Sequence, residues 1–411
     1  MKLPEDSNST GRDLGKEEMA LLKEVIESGT LNATKGTMVK RFVKEFADIY
    51  GIPFAYATTS GTASLHTAVA TINPDPGDEI ITTPITDMGA IAPILYQNAI
   101  PVFADVDPAT LNITRDAIEP KITKRTRAIM VTHLFGKSAD MDPIMELSRK
   151  YNIPVIEDCC QAYFAEYKGK NVGTIGDIGC FSLQQGKHMT TGEGGIIISK
   201  DTKFERKIRL FIDKAWGYGD PKPDHYFLAP NYRMTELQGA VALAQLKKVK
   251  GVVKRRQETA KMLTENLKGI PGLTLPESTK NSVHVYWKYA LIVDTDFFGV
   301  DVVSFSGMLK EKGIFSAPRY IQKPAFMCEI LKDRRTYGKS HCPYDCSRRK
   351  GEKEIVYDVQ DYPDTMKALE QVLVLPWNEF YTKEHVDYIA KNIKEVVEFY
   401  LSKKEEKTWK K

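Results

Sequence analysis

No segment of this chain approaches the ~18 consecutive apolar residues that a membrane span needs, and no basic stretch leads into an apolar core at its start. The expectation is a cytoplasmic protein with no membrane partner. Cysteine is scarce. The six in 411 residues are Cys159, Cys160, Cys180, Cys328, Cys342 and Cys346, too few for a disulfide-stapled scaffold. His341, Cys342 and Cys346 offer metal ligands, but a second pair at zinc spacing is missing, so no metal is expected. Neither charge sign dominates, with 58 Lys and Arg against 54 Asp and Glu interspersed along the chain. That removes the general electrostatic case for nucleic acid, and the basic end at 403–411 reads as a solvated tail. Fixed-period repeats and low-complexity tracts are also missing.

What is present is material for a large α/β protein. Between about residues 40 and 250, runs such as DEIITTP (78–84), IPVFADVD (100–107), RAIMVTH (127–133), IPVIED (153–158), DIGCFSL (177–183) and GGIIIS (194–199) read as strands. Several are apolar on both faces, as in a mostly parallel sheet covered by helices on each side. Helical patterns at Ser64–Ile72 and Asp142–Tyr151 lie between them, and a long one begins near Thr235. After Gly269-Ile-Pro-Gly272 the pattern changes to a smaller α+β unit. It holds the strand-like run VYWKYALIV (285–293) and a closing helix with Val386, Ile389, Ile393, Val396 and Val397 on one face. The expected division is an N-terminal arm at 1–40, a large domain at 41–260 and a small domain at 261–411. An aperiodic polar stretch at 331–362, with Arg334, Arg335, Arg348 and Arg349, reads as a loop insertion. Its arginines offer either a solvated basic loop or contacts to a substrate phosphate.

Three groups carry chemistry. Ser60-Gly61-Thr62 is a small-residue turn opening onto a helix, where free amides and the helix dipole suit an anion; a plain N-cap is the alternative. The strand Val155-Ile156-Glu157-Asp158 ends in two carboxylates, and strand ends of open α/β sheets are where ligands sit, although Asp158 as a helix cap is equally open. Ser182 and then Lys187 follow. A partly desolvated lysine has a lowered pKa and attacks carbonyls. A phosphate cradle, a carboxylate for a pyridinium nitrogen and an amine for a Schiff base are together what pyridoxal 5'-phosphate (PLP) requires.

At this point the chain resembles the DegT/StrS-type sugar and cyclitol aminotransferases, a branch of the fold-type-I PLP enzymes. The resemblance runs from about residue 20 to 400. It rests on SGTASLHTA (60–68), PVFADVDPATLNI (101–113), VTHLFGKSADMDPI (131–144), VIEDCCQA (155–162), GDIGCFSLQQGKHMTTGEGG (176–195) and NYRMTELQGAVALAQL (231–246). The resemblance implies a large domain with a mostly parallel, seven-stranded-type sheet and a smaller α+β domain. It implies that Lys187 forms the Schiff base, Asp158 pairs with the pyridinium nitrogen and Gln161 lies beside the cofactor's 3-oxygen. Gly61, Thr62 and Ser182 would hold the phosphate, with Asn231 reaching in from the neighbouring subunit of a homodimer with shared active sites. Arg233 is either an ion-pair residue or a substrate contact. Tyr320, in APRYIQKPAF (317–326), and His188, beside Lys187, are further candidate substrate contacts. One departure stands out. Where the family commonly has an aromatic against the cofactor ring, this chain has Asp87, which cannot stack; either another side chain covers that face or Asp87 contacts substrate or a catalytic group, a solvated or capping Asp87 being the alternative.

The implied activity moves an amino group from glutamate or glutamine to a keto-sugar, usually nucleotide-linked, or to a keto-cyclitol. Gln184-Gln185 and the 317–326 run look closer to the glutamine-dependent ketocyclitol and aminohydroxybenzoate-synthase-like branch. Two rivals share the fold, a PLP-dependent sugar dehydratase and a non-catalytic regulatory homologue. The dehydratases put histidine where this chain keeps Lys187, and the complete lysine, aspartate and phosphate set opposes the second.

Overall fold

The computed structural model describes residues 1–278 and 281–409, with side chains described as far as 404; most of the basic tail at 403–411 therefore lies outside the described side chains. Seven strands form the central sheet: β1 (Phe54–Thr58), β2 (Glu79–Thr82), β3 (Ile100–Phe103), β4 (Thr126–Thr132), β5 (Val155–Asp158), β6 (Ile178–Ser182) and β7 (Gly195–Ser199). They lie in the order β1-β7-β6-β5-β4-β2-β3. All run parallel except β7, which is antiparallel to both neighbours.

Strand β7 shows why the apolar runs contain no polar alternation. Successive side chains of a strand point to opposite faces. Ile196 and Ile198 pack with Phe42 and Phe46 of helix α2 (Met38–Tyr50), which follows α1 (Lys16–Ser28). Ile197 faces the other way, toward Leu65 and Val69 of α3 (Gly61–Ile72) and Ile208 of the helix Thr202–Ile212. Both faces are core, so every position is apolar.

A second sheet of four antiparallel strands, Leu273–Thr274, Lys288–Val293, Val372–Pro376 and Ala317–Pro318 in spatial order, packs against Val302–Glu311 and the closing helix Lys383–Trp409. Val386, Ile389, Ile393, Val396 and Val397 enter that core, as their spacing predicts. Residue 260, the expected boundary, lies inside the helix Glu236–Leu267. This helix gives Leu243 and Leu246 to the core beneath the large sheet and Leu263 and Leu267 to the core of the small one. Residue 40 likewise lies inside α2.

The 331–362 stretch holds only short helical turns, at its start, at Ser347–Arg349 and at Val359–Asp361, yet it is not free. Tyr344, Tyr357 and Tyr362 pack with Phe326 and with Ile100 and Phe103 of β3, and Tyr357 Oη donates to the Pro101 carbonyl at 2.7 Å. The insertion therefore covers the outer strand of the large sheet, which would otherwise be an open edge. The solvated-loop reading holds for Arg335, whose side chain is 64% exposed, and needs correction at Arg349 and Arg334. Arg349, with its side chain 9% exposed, pairs with Glu79 at 2.8 Å, and Arg334 pairs with Glu354 at 2.5 Å. Among the described residues, no helix is long and apolar enough to cross a membrane.

Candidate active site

Helix α3 starts at Gly61, three residues before the apolar period shows it, because Ser60 caps it: its Oγ accepts from the Ala63 amide at 3.0 Å. The first-turn amides of Gly61 and Thr62 have no intrahelical carbonyl to bond. They border a cavity of about 400 Å³. A side-chain carbon at position 61 would stand 2.6 Å from Cβ of Ser182 and 3.0 Å from Sγ of Cys160. The room beside Ser182 therefore depends on glycine.

Strand β5 delivers Asp158 to the same cavity at its carboxyl end. Its Oδ1 accepts from the Cys160 amide at 3.1 Å and its Oδ2 from Thr132 Oγ1 at 3.4 Å. Glu157 faces away and is fully buried. It accepts from the amides of Gly173, Ile175 and Gly176 and from His133 Nε2, all at 2.6–2.9 Å. His133, Glu157 and Cys159 form a group with metal-ligand atoms. Because His133 Nδ1 also accepts from the Ala139 amide at 3.2 Å, its histidine and carboxylate are spent on the chain itself.

Gln161 is oriented by two bonds. Its Oε1 accepts from the Phe135 amide at 2.7 Å and its Nε2 donates to Tyr320 Oη at 3.2 Å. Both Gln161 and Tyr320 line the cavity, and burial raises the Tyr320 pKa, keeping its hydroxyl protonated. Lys187 lies in the turn after β6, half-buried, with Nζ 4.0 Å from the centre of the Trp287 ring. Burial pulls its pKa below the usual lysine value, against the nearby Cys160, Asp158, Asp87 and Glu193, which favour the ammonium form.

The structure thus gathers Gly61, Thr62, Asp87, Asp158, Gln161, Ser182, Lys187 and Tyr320 around one space. Asp87 holds two positions at once: it borders the cavity and caps α4 (Met88–Tyr96) by accepting from the Gly89 amide at 2.7 Å. One expected contact, His188, is corrected, and for Arg233 the ion-pair alternative is the one present. His188 is buried with Nε2 on the Val285 carbonyl at 2.9 Å and does not border the cavity. Arg233 pairs with Asp213 and does not border it either. Asn231 is exposed on the same segment, outside this chain's own cavity.

Trp287, Glu193 and Thr86 also line the space and were not foreseen. Trp287 stands just before a strand whose apolar pattern masks it, and Glu193 sits in a glycine turn that reads as a hairpin. Both reach the site only through tertiary packing.

Comparison with known proteins agrees with this geometry. The profile of the DegT/DnrJ/EryC1/StrS aminotransferase family matches residues 12–347. A GDP-perosamine synthase of Caulobacter vibrioides is 38% identical over 259 residues, which is 62% of this chain and 69% of that protein. A protein of Micromonospora echinospora, provisionally named an L-glutamine:3-amino-2,3-dideoxy-scyllo-inosose aminotransferase, is 36% identical over 303 residues, 73% of this chain and 71% of its own. The X-ray structure of an aminotransferase from Psychrobacter cryohalolentis superposes with a TM-score of 0.82 at 27% identity, covering 94% of this chain and 98% of that one. The chain belongs to the DegT/DnrJ/EryC1/StrS aminotransferase family.

Proposed function

We propose that this protein binds pyridoxal 5'-phosphate in the cavity at Lys187 and transfers an amino group from glutamate or glutamine to a keto-sugar or keto-cyclitol in the cytoplasm. The observation that carries the reading is the convergence of one amine, one strand-end carboxylate and one glycine-dependent helix start on a single space. These residues fit the cofactor: the amides of Gly61 and Thr62 and the Ser182 hydroxyl suit its phosphate, and Asp158 suits a protonated ring nitrogen. When bound, the cofactor supplies an aldehyde that condenses with amines and a ring that accepts electrons.

The chain's own residues do the rest. Asp158 holds positive charge at the ring nitrogen. Lys187, with its amine desolvated by the cavity wall, would take a proton from the donor's α-carbon and return it to the carbon on the far side of the shared nitrogen, the work of a general base and then a general acid. Gln161, pinned by Phe135 and Tyr320, would hold the cofactor with its amide fixed in one orientation. Tyr320 and Trp287 are aromatic residues on the cavity lining, where Asp87 offers none.

The acceptor class follows the relatives, one named for a nucleotide-linked amino sugar and one for an inosose. A homodimer with shared sites is part of the same proposal, since Asn231 stands outside its own chain's cavity while neighbouring Leu228 is 96% exposed. The deciding experiment loads the enzyme with amino groups from glutamate or glutamine and offers a panel of nucleotide-linked ketosugars and inososes. One acceptor should return the cofactor's aldehyde absorbance and yield an aminated product. Discharge by pyruvate alone would direct the assignment elsewhere. Mixing Lys187→Ala with Asn231→Ala chains should restore partial activity if sites are shared.

A further inference from the structure

Three consecutive carbonyls of the turn that carries Lys187 are each taken by a side-chain donor from a distant part of the chain. Arg12 Nη1 donates to Gln185 at 2.9 Å and to Lys187 at 2.7 Å, and between them Trp287 Nε1 donates to Gly186 at 2.7 Å. The turn needs such support because residues 184–190 form neither strand nor helix. A local bond, from the Lys187 amide to the Gln184 carbonyl at 2.9 Å, closes it.

Arg12 is itself held rigidly. Its side chain is 3% exposed, and its Nη2 meets Asp6 at 3.2 Å and Glu379 at 3.4 Å. Glu379 also pairs with Arg256 at 2.6 Å, and Asp6 with Lys288 at 3.0 Å. Asn378 Nδ2 donates to Asp6 at 2.7 Å and to the Gly11 carbonyl at 3.0 Å. Gln185 Nε2 reaches the Asp6 carbonyl at 2.8 Å. The segment from Asp6 to Arg12 is therefore fastened to the small sheet's surroundings on one side and to the lysine turn on the other. A guanidinium suits this place because its planar fork bonds carbonyls and carboxylates together, which an ammonium cannot do at one set angle.

We propose that Arg12 and Trp287 are positioning residues that set where the Lys187 amine stands, acting through the main-chain oxygens of 185–187 rather than on substrate. The inference rests on Lys187 being the reacting amine. Trp287 contributes twice, through its N–H on Gly186 and its ring at 4.0 Å from Nζ. A displacement of about 1 Å at a reacting group costs on the order of 10²-fold in rate, so loosening this grip should act on turnover and not on binding.

The test uses the full-chain holoenzyme and two substitutions. Arg12→Lys keeps a positive charge between Asp6 and Glu379 but, with three donors on one nitrogen, cannot serve both carbonyls and both carboxylates at once; Trp287→Phe keeps a ring beside Nζ and removes the N–H. The expected result is a kcat at least tenfold lower for Arg12→Lys and several-fold lower for Trp287→Phe, with the donor KM within threefold of the parent. Hydrogen exchange in a peptide spanning 184–189 should quicken in both, while a peptide from α3 stays unchanged. Kcat and exchange within twofold of the parent in both variants would overturn the proposal, and if Arg12→Lys does not fold, Trp287→Phe decides alone. Lys187→Ala is the control: inactivity there beside unaltered positioning variants sinks only the grip, whereas activity there sinks the role of the lysine.

Discussion

Glu157 and Asp158, adjacent at the end of β5, turn their carboxylates to opposite sides of the sheet. Alternation along a strand requires it, and the surroundings give the two acids different work. Glu157 ties the 173–176 turn to the sheet through three amides, whereas Asp158 opens onto the cavity.

Glu157→Gln should therefore destabilise the fold without silencing the chemistry. The new amide sets a donor against amides that need acceptors, and breaking a buried charged network typically costs about 3 kcal/mol or more. Urea unfolding should show that loss. Asp158→Asn should behave in reverse, with unfolding near the parent's and kcat at least ~10²-fold lower, the scale of a lost charge-stabilising or proton-handling group. Equal effects of the two substitutions on kcat would contradict this division.

Lys187→Ala should lower turnover by ~10² to 10⁴-fold or more, the range for removing a general base, while leaving secondary structure intact by circular dichroism. The pH profile adds a signed expectation. Burial depresses the Lys187 pKa, so the limb of kcat that reports its free amine should rise at a lower pH than an ordinary lysine would give. The Glu193 carboxylate favours the charged form. Glu193→Gln should move that limb to still lower pH, and a shift to higher pH would contradict the stated cause.

Much of the fold was legible in the sequence because buried parallel strands have a signature in single segments. Ile196 to Ile198 are apolar without alternation, and the packing explains each of them. The cavity-lining residues were legible for a related reason: Gly61, Asp158 and Ser182 lie at ends of regular elements and Lys187 in the turn that follows one, where local pattern marks position. Arg12 and Trp287 were not legible. They meet the lysine turn from 175 and 101 residues away, and neither stands in a local pattern that differs from an ordinary surface arginine or core tryptophan. The packing of the 331–362 insertion escaped for the same reason, since Tyr344, Tyr357 and Tyr362 form one cluster in space but follow no period. His188 misled because adjacency in a turn does not put two side chains in the same cavity.

Gly61→Ala tests the cradle. The added methyl carbon would lie within 2.6 Å of Ser182 Cβ, a distance that forces the turn and the serine apart. Cofactor affinity measured by fluorescence or absorbance titration should fall at least tenfold, which corresponds to about 1.4 kcal/mol. The cost to global stability should be smaller, because alanine is a better helix former than glycine. Unchanged affinity would show that the phosphate does not depend on this helix start.

His66, one turn further along α3, links acid stability to the segment that holds Asn231. Gln97 Nε2 donates to its Nε2 at 2.8 Å, which leaves Nδ1 to donate to Tyr232 Oη at 2.8 Å. A second proton would set two donors against each other, and burial lowers the pKa to about 4. The unfolded chain binds that proton near pH ~6.5, so between the two values the unfolded state holds more protons and stability falls with pH. The full contribution is present above pH ~6.5 and is lost as pH drops through about 4. A gap of ~2.5 pH units makes this about 3 kcal/mol. His66→Gln, neutral throughout, should give an unfolding free energy that declines less steeply than the parent's over this window. Parallel declines would mean that His66 is not held neutral, and Tyr232, with Asn231 beside it, would need another anchor.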